Sequence, residues 1–431
     1  MGQVIESIVD VMSYISGLGN VLMMPLVFTL LCLAFGMHIL DALRHSARVG
    51  IGFLGFTMVN NMVIETLGPA VTQMVENRGM NLNTLDLGWA AVSTITYATE
   101  MGALIIIFGL TFNILLILLR VVRTLDVDLW NYWQWAFTGS FVLLLTNNFW
   151  WGFAAAMIHE VFTLLVADAS AEMIQEYIDM PDISIPHSAA AAMWFMAWPL
   201  AKFWTLIGWK NRSAEEKPKS VSPLFAKLLD PVLIGLVIGL VIGILGYVGS
   251  GLEFRETFRN VLQVGMASAG MLVLMPSAVS ILLDGINPIS EQVRTVLHKR
   301  LGKHGQKLYV GVDSAVMAQD QTTLIASMLM IPVILVLAAI LPGNTLIPFG
   351  GLTGVVYTIC TIAPLVQGDF MKLMVTSTIL FAVLLLLGSN WAPEVTRLVS
   401  ENGLVLPEGA ASVSSFGNPV TWVMVALTRI F

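Results

Sequence analysis

The sequence predicts an all-α, polytopic membrane protein, and its composition carries that prediction. Hydrophobic residues make up 57% of the 431 residues, whereas charged residues make up only 11%. The charged residues also avoid long stretches of the chain, and a helix needs roughly 20 apolar residues to cross a bilayer. The charge-free stretches are residues 11–40, 101–119, 129–158, 183–201, 231–252, 260–283, 321–368, 373–393 and 409–428.

Taken in order, these stretches predict about eleven transmembrane helices. The first is too long for a cleaved signal peptide, so we expect it to remain as the first helix. Residues 49–64 supply a short crossing, and the stretch 321–368 is long enough for two. The 36 glycines and 17 prolines favour tightly packed, broken or re-entrant helices.

Basic residues predict which loops face the cytoplasm. Six Lys and Arg residues lie in 202–227 and five lie in 294–307, and Arg120 and Arg123 form a smaller pair. The positive-inside rule places all of these on the cytoplasmic side. Residues 168–182 contain five acidic residues and no basic one, so we expect this segment on the opposite side.

Landmarks that recur in the same order predict an internal duplication. Gly50 and Gly311 occupy similar Val-Gly-Ile and Val-Gly-Val strings, and they are separated by the same distance along the chain as Thr84 and Thr345. Transporters commonly bind substrate between two such repeats, at helices broken near the middle of the membrane.

The predicted organisation is a first membrane repeat over 1–209, a charged cytoplasmic linker over 210–230 and a second membrane repeat over 231–431. The count of crossings makes the two repeats parallel. A single re-entrant hairpin, for which the glycine and proline breaks at 343–350 are suitable, would make them inverted. Both arrangements stay open at this point.

Polar side chains inside apolar stretches are costly unless they are paired or face a cavity, so they are the candidate substrate-binding residues. Gln134 and Thr138 are four residues apart and share one face of an aromatic-rich helix. His187 lies at a break before an Ala-rich helix, where unpaired amides suit hydroxyl groups. Asp313 begins a long apolar segment. The alternatives are a helix-to-helix hydrogen bond for Gln134 and helix caps for His187 and Asp313.

Two glycine breaks are further candidates for substrate contact. They are Asp86-Leu87-Gly88-Trp89 and Phe349-Gly350. Glycine lets the backbone approach a ligand, and an aromatic ring offers a stacking face to a sugar. Tight helix packing is the alternative explanation. The sequence contains no phosphate-binding loop, nucleophile elbow or metal motif, and its two cysteines have no metal-ligand spacing. We therefore expect no catalytic residue, metal, cofactor or nucleic-acid partner.

Several strings together resemble the galactitol-type permeases (enzyme IIC) of the bacterial phosphoenolpyruvate-dependent sugar phosphotransferase system. They run through nearly the whole chain in the order that the family shows. The strings are Val49-Gly-Ile-Gly-Phe-Leu-Gly55, Asp86-Leu-Gly-Trp89, Val127-Asp-Leu-Trp-Asn-Tyr-Trp133, Phe137-Thr-Gly139, Ile185-Pro-His187, Asp284-Gly-Ile-Asn-Pro288, Gly311-Val-Asp313, Gly343-Asn344, Pro348-Phe-Gly350 and Gly417-Asn-Pro-Val-Thr-Trp422.

The resemblance implies a homodimeric, elevator-type transporter in the lipid bilayer of the bacterial inner membrane, with a dimerising scaffold and a mobile core. It implies a polyol or monosaccharide substrate that a cytoplasmic IIB protein, supplied by IIA, phosphorylates. Related ascorbate permeases place their substrate near positions that match Gln134, His187, Asp313 and the two glycine breaks.

The chain departs from the galactitol pattern at several places, among them Asn61 and Asn147 or Asn148, where the pattern has glycines. Gln134 replaces a histidine, Ser188 replaces a glycine, and Gln319-Asp320 replaces Gly-His. These departures leave the exact sugar open. The alternative function is an ion-coupled secondary sugar transporter of the same architecture, in which Glu100 and Asp320 would bind the ion.

Overall fold

A computed structural model describes residues 20–78, 82–209, 230–301, 308–402 and 412–430. The described helices are α1 (Asn20–Ala34), α2 (Ile39–Arg78), α3 (Gly88–Tyr97), α4 (Glu100–Leu118), α5 (Trp133–Thr146), α6 (Phe149–Ile178), α7 (Ser188–Leu206), α8 (Pro231–Tyr247), α9 (Phe254–Leu301), α10 (Gln321–Ile340), α11 (Val355–Ile359), α12 (Ile362–Leu365), α13 (Phe370–Asn390), α14 (Ala392–Glu401) and α15 (Pro419–Thr428). The strands are β1 (Thr84–Asp86), β2 (Thr124–Asp126), β3 (Ile183–Ser184), β4 (Tyr309–Gly311), β5 (Leu346–Ile347) and β6 (Ser412–Ser414). Three 3₁₀ helices span Leu129–Tyr132, Ser314–Gln319 and Gly350–Gly354.

The prediction of an all-α membrane protein is confirmed. Within the described ranges, α4, α6, α10, α13 and the Phe254–Leu297 part of α9 are long and apolar enough to cross a membrane. Shorter apolar helical segments are Val21–Ala34, Val232–Tyr247, Gly350–Leu365 and Pro419–Thr428. The count of about eleven crossings stays a prediction. The predicted linker over 210–230, apart from Asp230, lies outside the described residues.

Several helices begin at polar residues that accept hydrogen bonds from the first turn. Asp320 accepts from Thr323 N–H, and Asn418 accepts from Val420 N–H, at 2.8 and 2.9 Å. Such caps satisfy amide groups that the helix itself leaves unpaired. They allow α10 and α15 to begin inside the protein, where no water would otherwise bind those amides.

The six short strands form two parallel sheets, ordered β5-β1-β6 and β2-β4-β3. Thr84 pairs with Leu346 in the first sheet, and Leu125 pairs with Val310 in the second. Each sheet therefore joins segments from the two halves of the chain. The landmarks Thr84 and Thr345 lie side by side in the first sheet, with their hydroxyl oxygens 3.2 Å apart.

Residues 183–206 form a hairpin, called the central hairpin, that enters from the end where α6 finishes. Ile183 O accepts a hydrogen bond from Gln175 Nε2 near the end of α6, whereas Ser188 contacts His159 about four turns back. The chain then turns, and α7 runs parallel to α6, with Phe195 packed on Phe162.

Residues 412–430 form a second hairpin, called the C-terminal hairpin, at the opposite end of the molecule. Its strand lies beside the end of α13, where Ser414 Oγ donates to Gly388 O. Gly417 N, at its tip, donates to Leu384 O one turn deeper. The helix α15 then returns outward, where Trp422 Nε1 donates to Asn390 Oδ1. The two hairpins meet at their tips.

The prediction that residues 168–182 and Arg123 lie on opposite sides of the membrane is wrong. Arg123 N–H donates to Asp168 Oδ2 at 2.6 Å, and the Arg123 guanidinium lies 4.0 Å from Glu172. Both segments therefore lie at the same end of the molecule. The physical reason is that Lys and Arg set the orientation of a membrane protein, whereas acidic residues contribute little to it. The acidic residues of a loop therefore do not predict on which side of the membrane the loop lies.

The long helices α2 and α9 pack closely with α8 through glycines. An added Cβ at Gly52 would overlap Leu282, and one at Gly235 or Gly246 would overlap the backbone of a neighbouring helix. Small residues allow such close backbone approach between membrane helices. These glycines therefore allow α2, α8 and α9 to pack closely against one another.

Candidate functional site

A cavity of about 140 Å³ lies where the hairpin tips, the 3₁₀ helix Leu129–Tyr132 and the 3₁₀ helix Gly350–Gly354 converge, with Gly351 and Gly354 in its lining but not Phe349 or Gly350. Its aromatic lining consists of Trp89, Trp130, Trp133, Phe137, Tyr357, Trp391 and Phe416. Its polar lining consists of Asn131, Gln134, His187, Asp313, Thr358, Ser415, Asn418 and Thr421. The predicted residues Gln134, His187, Asp313 and Trp89 are thus brought together from four separate segments of the chain.

Gln134 and His187 place two side-chain nitrogens close together, and Gln134 Nε2 also donates to Asn131 Oδ1 at 3.4 Å. Gln134 Oε1 accepts from Ala189 N–H at 2.9 Å, which fixes the orientation of its amide. His187 Nδ1 accepts from Ala190 N–H at 3.2 Å, so the neutral ring carries its proton on Nε2. Nε2 of His187 lies 3.2 Å from Nε2 of Gln134. Two N–H donors that face each other are both suited to a shared acceptor, such as a ligand oxygen.

Asp313 supplies the carboxylate of the cavity lining. It follows β4, whose residue Gly311 lies against Asp126 and Pro186, where an added Cβ would overlap both. Its Oδ1 accepts from Ser314 Oγ at 3.3 Å. A carboxylate in the same cavity as the two N–H donors can accept the hydroxyl hydrogens of a ligand whose oxygens the donors bind. The described lining contains no Lys or Arg.

The first glycine break is a buried junction, and of its four residues only Trp89 lines the cavity. The Asp86 carboxylate accepts from Gly88 N–H at 2.9 Å, Phe349 N–H at 3.0 Å and Gly351 N–H at 2.7 Å. Asp86 therefore ties the ends of β1 and β5 together.

Neither glycine of this junction can carry a side chain without a clash. Gly88 has a φ of +76°, and an added Cβ would overlap the backbone of Gly350, as one at Gly350 would overlap Leu87. Leu87 and Phe349 are buried beside them. The tight-packing explanation thus accounts for Gly88 and Gly350. The role of this junction in substrate contact stays a prediction.

Thr138 lies one layer behind the cavity. It is fully buried, and its hydroxyl lies 2.7 Å from both His159 Nδ1 and Thr421 Oγ1. Asn418 and Thr421 line the cavity from the C-terminal hairpin, but the sequence analysis named them only within the family string Gly417–Trp422 and not as substrate-binding candidates. The Asn418-Pro419 pair at the start of α15, followed by Thr421 three residues after Asn418, is the sequence pattern that could have indicated these two residues.

Two buried carboxyl groups near the site have oxygens without a hydrogen-bond partner among the described residues. Both oxygens of Glu160 and Oδ2 of Asp126 have none, and neither residue is exposed to solvent. No group of three potential metal ligands occurs in the described ranges.

Comparison with known proteins shows extensive similarity. Residues 14–409 match the EIIC-GAT family, described as the PTS system sugar-specific permease component. The chain is also 30% identical over 421 residues to the PTS system galactitol-specific EIIC component of Escherichia coli strain K12. The corresponding component of Escherichia coli O157:H7 has the same identity over the same length. Each alignment covers 96% of this chain and 90% of the relative.

Proposed function

The chain belongs to the family of sugar-specific permease components of the phosphotransferase system, and from this premise we propose that its substrate is an uncharged, galactitol-like polyol or monosaccharide. As a family member it is a multi-pass protein of the bacterial inner membrane that works with a cytoplasmic IIB protein. The cavity is where the sugar binds before IIB phosphorylates it.

The chemistry of the cavity lining is the observation that carries this proposal. Aromatic rings stack on the apolar faces of a sugar, while the Gln134 and His187 donors and the Asp313 acceptor bind its hydroxyl groups. With one carboxylate and no Lys or Arg among the described lining residues, an uncharged ligand is favoured over an acidic one. Trp89 supplies a stacking face, and its ring is held by a 3.1 Å hydrogen bond to Thr353 Oγ1.

The remaining predicted residues support the site from behind. Asp86, Leu87, Gly88, Phe349 and Gly350 form the buried junction that holds Trp89 and Gly351 at the cavity. Thr138 supports Thr421 in the cavity wall. An Asp313→Asn substitution weakens sugar binding, because an amide NH₂ replaces one of the two acceptor oxygens that the hydroxyls use.

We also infer that the two repeats are inverted. Exchanging β1 with β4, β2 with β5 and β3 with β6 converts the order β5-β1-β6 into β2-β4-β3, which is the order of the other sheet. The exchange also matches the central hairpin with the C-terminal hairpin, and these enter from opposite ends. The proposed boundaries, 1–209 and 231–431, agree with this exchange because each repeat then begins with a shorter apolar helix and a very long one.

The same exchange suggests how transport proceeds. The helices α1, α2, α8 and α9 precede the hairpins in both repeats and form the proposed dimerising scaffold. The hairpins, broken helices and cavity form the proposed mobile core, which moves as an elevator. Apolar side chains exposed on α1 and α9, such as Leu30 and Met266, suit lipid or a second copy of the chain.

Vesicle transport tests this function. Vesicles containing the purified chain, with IIA, IIB and phosphoenolpyruvate at the cytoplasmic face, should accumulate phosphorylated radiolabelled galactitol or another polyol from a panel. Accumulation should require all the soluble components. Concentrative uptake of unmodified sugar under a proton or sodium gradient alone would refute group translocation and favour ion-coupled transport.

The two residues that the ion-coupled alternative assigns to the ion do not support it. Glu100 is exposed at the start of α4. Asp320 accepts from Thr323 N–H and Thr323 Oγ1 at 2.8 Å and from Tyr177 Oη at 3.0 Å, so its carboxylate is used as a helix cap. Neither residue lines the cavity.

A further inference from the structure

A fully buried histidine lies directly behind the cavity wall, outside the lining itself. His159 belongs to α6 and has no solvent exposure. Its Nδ1 lies 2.7 Å from Thr138 Oγ1 on α5, and its Nε2 is hydrogen-bonded to Ser188 Oγ at the tip of the central hairpin. Because both of its ring nitrogens are hydrogen-bonded, this buried imidazole links α6 to α5 and to the tip of the central hairpin.

The C-terminal hairpin closes these contacts into a ring. Asn418 Nδ2 donates to Ser188 Oγ at 3.0 Å, and Thr421 Oγ1 lies 2.7 Å from Thr138 Oγ1. We call Thr138, His159, Ser188, Asn418 and Thr421 the His159 ring. It joins α5, α6 and the tips of two hairpins that enter the molecule from opposite ends.

The capping of α15 sets the direction of the hydrogen bonds in the ring. Asn418 Oδ1 accepts from Val420 N–H at 2.9 Å, which leaves Nδ2 to donate to Ser188. The Ser188 hydroxyl has His159 Nε2 as its remaining partner, so it donates to that nitrogen. The neutral imidazole therefore carries its proton on Nδ1 and donates it to Thr138.

The ring also holds residues that face the cavity. Asn418 and Thr421 line it directly, and Ser188 lies between the lining residues His187 and Ala189. Displacing Ser188 would move the backbone N–H of Ala189, which fixes the Gln134 amide at 2.9 Å. His159 therefore influences the Gln134–His187 donor pair without touching the cavity.

We propose that His159 is a positioning residue of the sugar site, which holds the two hairpin tips at the spacing needed for substrate binding. This inference rests on the proposed function, because it concerns the same cavity. Loss of His159 leaves the Ser188 and Thr138 hydroxyls without their shared partner, and the two tips are then held less closely.

Binding measurements on the purified full-length chain test this role, using whichever pentose, hexose or polyol of a panel binds the wild type most tightly. His159→Leu should raise the Kd roughly 5- to 150-fold, the effect of losing about one to two buried hydrogen bonds. His159→Gln keeps an acceptor for Ser188, and His159→Asn keeps a donor for Thr138. Each should recover part of the affinity.

A double-mutant cycle separates positioning from a general loss of stability. Ser188→Ala should weaken binding in the wild type and weaken it less in His159→Leu, because the Ser188–His159 link is already absent there and only the Asn418–Ser188 hydrogen bond remains to be lost. Ser170→Ala is the matched control: Ser170 is a buried serine of the same helix whose hydroxyl bonds only to backbone oxygens of that helix. It should leave the Kd unchanged.

The outcomes distinguish this inference from the function on which it rests. If no sugar or polyol binds the wild type, the proposed function is refuted. If the wild type binds and His159→Leu melts normally with the same Kd, the positioning role is refuted while the function stands. If His159→Leu does not fold, Ser188→Ala and Thr138→Val each remove one arm of the ring, and wild-type affinity in both would refute the role.

Discussion

Asp86→Asn and Asp126→Asn make the same chemical change at the ends of two strands with the sequence Thr-Leu-Asp, and we expect different effects on stability. The Asp86 carboxylate accepts three backbone N–H groups at 2.7–3.0 Å. The Asp126 carboxylate accepts one backbone N–H group on Oδ1 at 2.9 Å. Its Oδ2 has no hydrogen-bond partner among the described residues.

The size of the effect follows from these contacts. An asparagine has one acceptor oxygen, so Asp86→Asn turns an NH₂ group towards at least one backbone N–H. A buried donor without an acceptor costs about 1–3 kcal/mol. In a large domain, each kcal/mol lowers the Tm by roughly 2–4 °C. At Asp126 the NH₂ group replaces an oxygen that has no hydrogen-bond partner among the described residues, so no existing hydrogen bond is lost and the Tm should fall less than in Asp86→Asn.

Thermal melting of the two purified variants in detergent, without ligand, measures this difference. Tryptophan fluorescence is a suitable signal because several tryptophans lie near the two sheets, Trp89 and Trp130 among them. The wild type and the Asp126→Asn variant serve as references. An equal fall in Tm for both variants, or a stabilised Asp86→Asn variant, would refute the assignment of Asp86 as the acceptor that ties β1 to β5.

Three further outcomes are expected. His187→Ala should weaken sugar binding roughly 5- to 150-fold while the protein still melts cooperatively, and an unchanged Kd would remove His187 from the site. Gly88→Ala should yield little folded protein in detergent, because its Cβ would overlap a facing backbone; Gly208→Ala, with a similar φ of +75° and open space around it, should fold. Single cysteines at Arg120 and Asp179 should react with an impermeant thiol reagent from the same side of the membrane, and labelling from opposite sides would contradict the structure.

The amino-acid sequence by itself determined the class of the protein and part of its site. The cost of burying unpaired polar groups in lipid acts on each segment separately, so the charge-free stretches predicted a helical membrane protein without any knowledge of packing. The same cost singled out Gln134, His187 and Asp313, which come from distant segments and line one cavity. The family strings identified the permease family, which the comparisons confirm.

Only the tertiary structure decided which of these residues face the cavity and which support it from behind. Asp86 and Thr138 lie on the same local patterns as Trp89 and Gln134, but their side chains are used by β5 and by His159. The strand pairings join residues more than 120 positions apart, and the His159 ring includes contacts between residues 230 and 283 positions apart, so no local pattern encodes them. The sidedness of residues 168–182 was likewise decided by packing, because acidic residues do not direct membrane orientation.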